Sequence, residues 1–362
     1  MDESLAASEA VDREKALTLA ALAAQAWCTR GGAQPEPGEQ LVGHLMRASA
    51  WASRARAHRG LRPLSVADLV AAFEVPVADW LPGGGGFALM EDGLPTPICI
   101  ELVDDAGTSA LAEVEQRVIL RAMDNLGTRT DAAEGYTTFR RFLVEHATAP
   151  HGDAARAVRA VGIDLSEVYE PVAAGAKLAT PSGDVFYPCP RCGWPLAVRG
   201  SSLSCARSAT CLAEGSWFRL EKQSVIPLGK LDSPQPRPCT GVAVLRVGVW
   251  RYTTLPGLAE IELATRLEEI AGVQVELWPF IDRYDLDVRL GEHQWRVDVK
   301  DQTSAMRLAR HLAERPAREA TWIVVPDARR DQVPILHRNV PPEARYLFAY
   351  SSEFVRRVKG AL

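Results

Sequence analysis

The stretch Tyr284–Asp301, YDLDVRLGEHQWRVDVKD, restricts the fold more than any other part of the chain. Apolar and polar residues alternate on both sides of a short turn within Gly291–Gln294. A period of two is that of half-buried strands, so the stretch reads as a β-hairpin. A two-residue loop at Glu292–His293 sets Leu290 opposite Trp295, Asp287 opposite Asp298 and Asp285 opposite Lys300. Side chains two apart share a face. Asp285, Asp287, Asp298 and Lys300 then project from one face, while Leu286, Val288, Leu290, Val297 and Val299 point into a core. Like charges directly opposed destabilise a strand pair, and a hard divalent cation such as Mg²⁺ removes that cost.

With 362 residues the chain has room for two or three domains. Its 47% hydrophobic and 24% charged residues are those of a globular protein. A formal net charge of −5 excludes a global basic field, so any nucleic-acid contact must come from local patches. No run approaches the roughly 18 apolar residues of a membrane span. Residues 16–28, ALTLAALAAQAWC, follow acidic Asp2 and Glu3 and read as an amphipathic first helix, not a signal peptide. Seven cysteines, four of them clustered, point to a reducing cytoplasm and a metal site in place of disulfides.

Residues 1–80 read as helical, broken by GGAQPEPGEQ at 31–40. Within them, 65–81 has the rhythm of a helix, a tight turn and a second helix, with Leu69, Val70, Phe73, Val75, Val77 and Trp80 as packing positions. A DNA-reading second helix needs basic or amide side chains, and this one offers Asp79. The glycines after Pro82 are followed by no Lys-Ser or Lys-Thr, so they form a loop and not a phosphate cradle. Strands are expected within 87–104, where ICIELV lies, and amphipathic helices over 109–127 and 136–148. Arg140 and Arg141 read as a solvated face of the second helix, HATAPHG (146–152) as a linker, and 153–170 as a short helical region.

Residues 187–211 carry Cys189-x2-Cys192, twelve further residues, then Cys205-x5-Cys211. The CPxCG turn presents two sulfurs at the spacing that tetrahedral zinc needs, and the module resembles a zinc ribbon. The second pair is looser, and Cys239 is an alternative ligand. Four thiolates leave no open coordination position, so this Zn²⁺ is structural. Arg191, Arg199, Arg207 and Trp194 are candidates for a nucleic-acid or protein contact. SPQPRP (233–238) reads as a linker into the last domain.

From Gly241 the pattern becomes a strand (242–250), a helix from about Pro256, a strand at VQVELW (273–278) and the hairpin. A helix at about 303–314, a buried strand at TWIVVP (321–326), a strand at YLFAY (346–350) and a terminal helix follow. This order, α-β-β-β-α-β, with Asp on the second strand and Asp-x-Lys on the third, resembles the PD-(D/E)xK nuclease superfamily, the restriction-endonuclease-like fold. The resemblance covers roughly residues 245–362 and implies a site. Its first acid falls on Asp287 or Asp285, its second on Asp298, its lysine on Lys300, and a first-helix glutamate on Glu260, with Glu262 as a substitute. It implies catalytic Mg²⁺ (or Mn²⁺) held by Asp287 (or Asp285), Asp298 and the Val299 carbonyl, with Glu260 binding a second ion or orienting a water, and Lys300 beside the metal positioning and helping to deprotonate a water. Gln302 lies within reach, and Arg307, Arg310 and Arg318 are candidates for phosphate contacts against a plainly solvated face.

The expected architecture is thus multidomain α+β: a helical N-terminal region (1–150), a linker with a central zinc-ribbon-like module (151–240), and a C-terminal restriction-endonuclease-like domain with an αβββαβ core (241–362). This combination resembles the restriction-endonuclease-like protein of bacterial islands that also encode an Argonaute-related pPIWI-RE protein and a DinG-type helicase. The resemblance implies a DNA endonuclease in defence against phage or plasmid DNA, with those two proteins as partners and a homodimer as one possible state. Two other readings stand beside it. One is a zinc-ribbon adaptor that binds nucleic acid through an inactive nuclease fold. The other is a nuclease acting on RNA or on DNA ends.

Overall fold

The structure, a computed structural model, describes residues 3–29, 38–106, 110–127, 130–205, 208–222 and 224–361. Most of the break at 31–40 lies outside these residues, as does Arg207. The chain forms two compact units, Met1–Ser109 with Ala206–Ala209, and Ala110–Cys205 with Thr210–Leu362. Among the described residues no helix is long and apolar enough to cross a membrane.

The first unit is helical. α1 (Glu3–Thr29) and α2 (Gly38–Ala57) pack through Ala16, Ala20, Ala21, Ala23 and Ala24 against Leu45, Ala48, Ala52 and Ala55. Small side chains at the contact allow a short interaxial distance. Buried Asp12 is held by Arg54 and His58, each at 2.8 Å. Residues 65–81 form α3 (Val66–Ala71), a 3-10 turn and one further helical turn at Val77–Trp80. Leu69, Phe73, Val77 and Trp80 are buried, but Val75 is exposed, because it lies in the turn and not on either helix. ICIELV is not a strand. Apart from a two-residue pairing of Met90–Glu91 with Leu94–Pro95, this region is α4 (Pro97–Ala106). Pro97 opens the helix and the Thr96 hydroxyl accepts from the Cys99 amide, so Cys99 and Leu102, three apart, reach the core.

In the second unit, α5 (Ala110–Leu126) and α6 (Ala132–Glu145) share one core with Trp250, Leu255 and Trp278. The units therefore divide near 109/110 and not at 150. Residues 146–152 are no linker: Ala147 and Ala149 are buried, and Thr148–Pro150 pairs with Val242–Leu245. The segment 233–238 also ends in structure, since Arg237–Pro238 pairs with Gly183–Phe186. The cysteine module is an antiparallel sheet of β1 (Ala197–Arg199), β2 (Ser202–Ser204), β3 (Trp217–Glu221) and β4 (Ser224–Pro227), in the order β4-β3-β2-β1.

The strand expected over 242–250 stops at Leu245; residues 247–254 are helical, with a π turn at Trp250–Thr254 that runs into α7 (Leu255–Glu268). Then come β5 (Gln274–Leu277), β6 (Leu286–Leu290), β7 (His293–Val299), α8 (Ala305–Glu314), β8 (Thr321–Val325), β9 (Tyr346–Tyr350) and α9 (Ser351–Lys359). The strands form one sheet in the order β5-β6-β7-β8-β9. β5, β6 and β7 are antiparallel, and β8 and β9 continue parallel to β7. One face packs Leu286, Val288, Val297 and Val299 under α7 and α9, through Leu263, Leu267, Phe354 and Val358. The other packs Ile323, Val325 and Phe348 under α8, through Leu308 and Leu312.

The hairpin turn is Gly291–Glu292 and not Glu292–His293. Leu290 pairs with His293, Leu286 with Val297, and Asp287 with Arg296. Gly291 takes φ +56°, the left-handed conformation that a tight turn asks of glycine. Displacement of the pairing by two residues preserves each side chain's face. The expected faces therefore hold while the partners change.

Candidate acidic active site and cysteine metal centre

The CPxCG turn closes with the Gly193 amide donating to the Cys189 carbonyl at 2.8 Å, with Gly193 at φ +70°. Cys205 follows β2, and the loose second spacing is spanned by a short helix, Ala209–Ala213, that carries Cys211. All four cysteines are buried and free, and their sulfurs lie within 4.8 Å of one another. The Cys192–Cys205 separation is 3.9 Å. Zinc–sulfur bonds of about 2.3 Å in a tetrahedron set sulfurs about 3.8 Å apart, so this donor set fits a closed Zn²⁺ site. Cys239 is not part of the group and packs beside Phe186 and Val244. Arg191 pairs with Glu214 at 2.6 Å and approaches the Cys211 sulfur at 3.8 Å, while Trp194 packs on buried Trp250. Both are engaged inside the protein rather than presented as a nucleic-acid contact; Arg199 is exposed.

The acids sit at the far end of the hairpin from its turn. Asp285 precedes β6, Asp298 is near the end of β7, and Lys300 follows it. One Asp285 oxygen accepts from the Val299 amide at 2.7 Å and from the Lys300 ammonium at 3.4 Å. Burial pushes the Asp298 carboxyl up, against the pull of Lys300. Burial alone would lower Lys300, but Asp285, Asp298 and Glu260 outweigh it and hold the ammonium charged. Asp287 stands apart. It is buried, and its carboxylate is taken by Arg289 and by the Gln294 amide at 2.8 and 3.0 Å. Of the two competing aspartates, Asp285 is the one beside Lys300.

Glu260 lies on α7 and is 1% exposed. Its two oxygens accept from Arg140 at 3.1 and 3.0 Å, and the Trp278 indole N–H donates to one of them. Burial pushes its carboxyl up, with Arg140 opposing. Glu262 is exposed on the same helix. The approach of α6 to α7 depends on Gly257, where a Cβ would run into buried Val144. One turn along each helix from that contact, Arg140 meets Glu260.

Arg140 is the largest departure from the sequence reading. Arg141 is solvated, 46% exposed and paired with Glu145 at 3.4 Å, but the Arg140 side chain is only 9% exposed. It sits at i+4 from Tyr136 and i−4 from Val144, both buried, so it lies on the apolar stripe of α6. Its guanidinium also pairs with Asp282 and lies 3.9 Å from Asp285. Asp282, unforeseen as well, accepts from the Tyr136 hydroxyl at 2.9 Å. It is delivered by a turn in which Trp278, Phe280, Ile281 and Asp282 take φ of +53°, +55°, +58° and +68°. Such a run is rare for residues with a Cβ. Buried Trp278 pins the turn from inside.

Asp301, next to Lys300, pairs with Arg329 and accepts from the Thr210 hydroxyl at 3.4 Å, one residue from Cys211. This contact ties the residue after Lys300 to the short helix that carries Cys211. The Gln302 carbonyl accepts from the Gln332 amide at 2.9 Å. Arg307 is half-buried, and Arg310 and Arg318 are exposed. Among the described residues, only the cysteines form a set of three or more His, Cys, Asp or Glu ligand atoms all within 4.8 Å. The acids do not close to that spacing, and Arg140 lies among them. The hard oxygen donors of Asp285 and Asp298 suit Mg²⁺ in type. A cavity of about 540 Å³ opens beside the CPxCG turn, lined by His146, Arg191 and Arg237, with none of these acids in its wall.

Two family models match the chain. Residues 257–362 match the family described as REase associating with pPIWI_RE, and residues 15–149 match pPIWI_RE three-gene island domain Y. The chain is therefore similar at both ends to proteins of the pPIWI-RE islands, in keeping with its architecture. No curated protein and no solved structure matches it.

Proposed function

We propose that the chain is a Mg²⁺-dependent nuclease of the PD-(D/E)xK type that cuts DNA within a prokaryotic defence island. The observation that carries this reading is the placement of Asp285, Asp298 and Lys300 at one end of adjoining strands in an α-β-β-β-α-β core. The match of residues 257–362 to a restriction-endonuclease-associated family supports it. Asp285 and Asp298 are the ligands we assign to a divalent cation, which when bound supplies a Lewis acid for the phosphoryl oxygen and the attacking water. Lys300, charged as the carboxylates around it dictate, donates hydrogen bonds to the water or to a phosphate oxygen. Glu260 is too enclosed by Arg140 and Trp278 to orient a water, and its role is to fix Arg140. The cysteines hold structural Zn²⁺ and couple to the site through Thr210 and Asp301. Partners in this reading are DNA, the Argonaute-like pPIWI-RE protein and a DinG-type helicase in the cytoplasm.

One observation favours a second reading, an adaptor with an inactive nuclease fold: a guanidinium already occupies the acids. The test is incubation with supercoiled and linear DNA in Mg²⁺ or Mn²⁺, with and without the island partners. Cutting that persists unchanged in Asp298→Ala and Lys300→Ala removes these residues from the site. A wild type that never cuts in any arm favours the adaptor.

A further inference from the structure

The acids outnumber what one metal centre needs, and the surplus has a resident counter-charge. Glu260 and Asp282 converge with Asp285, and the Arg140 guanidinium stands among all three. It contacts both oxygens of Glu260 through one nitrogen and Asp282 through another. The enclosure is tight on the Glu260 side, where Trp278 donates from the turn after β5 and lies 5.0 Å from the guanidinium. On the Asp282 side, Tyr136 donates to the oxygen that Arg140 holds, whereas the other oxygen, Oδ1, is buried with no partner among the described residues. A buried carboxylate pair without a cation is costly. Arg140 is a permanent charge that no accessible pH removes.

Resting on the nuclease reading, we propose that Arg140 is the site's built-in second cation. It neutralises Glu260 and Asp282 and so restricts the centre to one divalent ion, at Asp285 and Asp298. In a site with two divalent ions, both would clamp the reacting phosphate oxygens; here a fixed guanidinium takes one of the two positions. Arg140 comes from α6, in the segment matched by domain Y, while the acids lie in the segment matched by the restriction-endonuclease-associated family. The charge balance of the centre is therefore completed from outside the nuclease-like core.

The experiment counts Mn²⁺ on the zinc-loaded full chain by titration calorimetry and electron paramagnetic resonance. Wild type is expected to bind one Mn²⁺, with an uncoupled spectrum. Arg140→Gln is expected to bind two, with the exchange-coupled spectrum of a close pair and a larger Mn²⁺-induced rise in Tm than wild type. Arg140→Gln/Glu260→Gln returns the count to one. If Arg140→Gln does not fold, Arg140→Met serves, since it keeps the apolar stem and removes the charge, and it too is expected to admit a second ion. Two ions on wild type, or one ion on a folded Arg140→Gln or Arg140→Met, overturns the proposal. The nuclease reading fails separately: the predicted Mn²⁺ counts without DNA cutting would remove that reading and leave the assignment of Arg140 intact.

Discussion

The two centres of the second unit gather like groups by opposite means. The cysteine centre draws Cys189, Cys192, Cys205 and Cys211 from one short stretch, and its sulfurs already lie within 4.8 Å of one another. The acidic centre draws Arg140, Glu260, Asp282, Asp285, Asp298 and Lys300 from two helices, a left-handed turn and two strands, and a cation from the protein itself stands among its acids. A centre built from local spacing has donors placed to fit a single ion. A centre assembled across the fold can balance charges internally, and its behaviour depends on packing far from the reacting atoms.

That contrast can be broken first at the cysteines. Cys189→Ser or Cys211→Ser is expected to lower the zinc content below one per chain and to unfold the module, since structural zinc contributes on the order of 10 kcal/mol to such folds. Metal analysis with circular dichroism reads this directly. A variant that keeps its zinc and its Tm would show that the sulfurs are not the ligands. Asp301 should transmit part of the loss to Lys300, so DNA cutting falls in the same variants.

At the acidic centre the largest structural effect should come from Arg140→Ala. Removing one partner of a buried ion pair costs roughly 3–5 kcal/mol because the other charges are left uncompensated. Urea unfolding of Arg140→Ala should show a loss of that size, and Arg140→Ala/Glu260→Gln a smaller one. Equal losses would mean that Arg140 contributes by packing alone. A smaller effect belongs to Gly257. Gly257→Val forces a side chain into buried Val144, and overpacking of this kind costs about 1–3 kcal/mol. Because that contact sets the approach of α6 to α7, the variant should weaken metal binding as well as stability. Unchanged Mn²⁺ affinity would separate the helix contact from the site.

What could be read in the sequence follows the same divide. The cysteine cluster was legible because turn chemistry and spacing are local, although the short helix that carries Cys211 was not. Strand faces were legible because the period of two survives an error of register. The register itself was not: either a Gly291–Glu292 or a Glu292–His293 turn satisfies the alternation, and only the positive φ of Gly291 decides between them. Asp285 and Asp287 share a face and differ by what Arg289 and Gln294 do to Asp287, a tertiary fact. Arg140 was hidden by its type, since an arginine on a helix reads as solvated. Its position on the stripe of Tyr136, Leu143 and Val144 was the available signal. Asp282 had none, as nothing in WPFID announces a run of left-handed residues. ICIELV went wrong because a short apolar run fits helix and strand alike.

The nuclease assignment is tested most directly by the rate at which wild type, Asp298→Ala and Asp287→Asn nick supercoiled plasmid in Mg²⁺, with the island partners present and each variant shown to be folded. Loss of a ligand we assign to the divalent cation should slow the reaction by at least about 10²-fold in Asp298→Ala, while Asp287→Asn, at a carboxylate held by Arg289 and Gln294, cuts at close to the wild-type rate. Undiminished cutting by Asp298→Ala, or a loss confined to Asp287→Asn, would contradict the site.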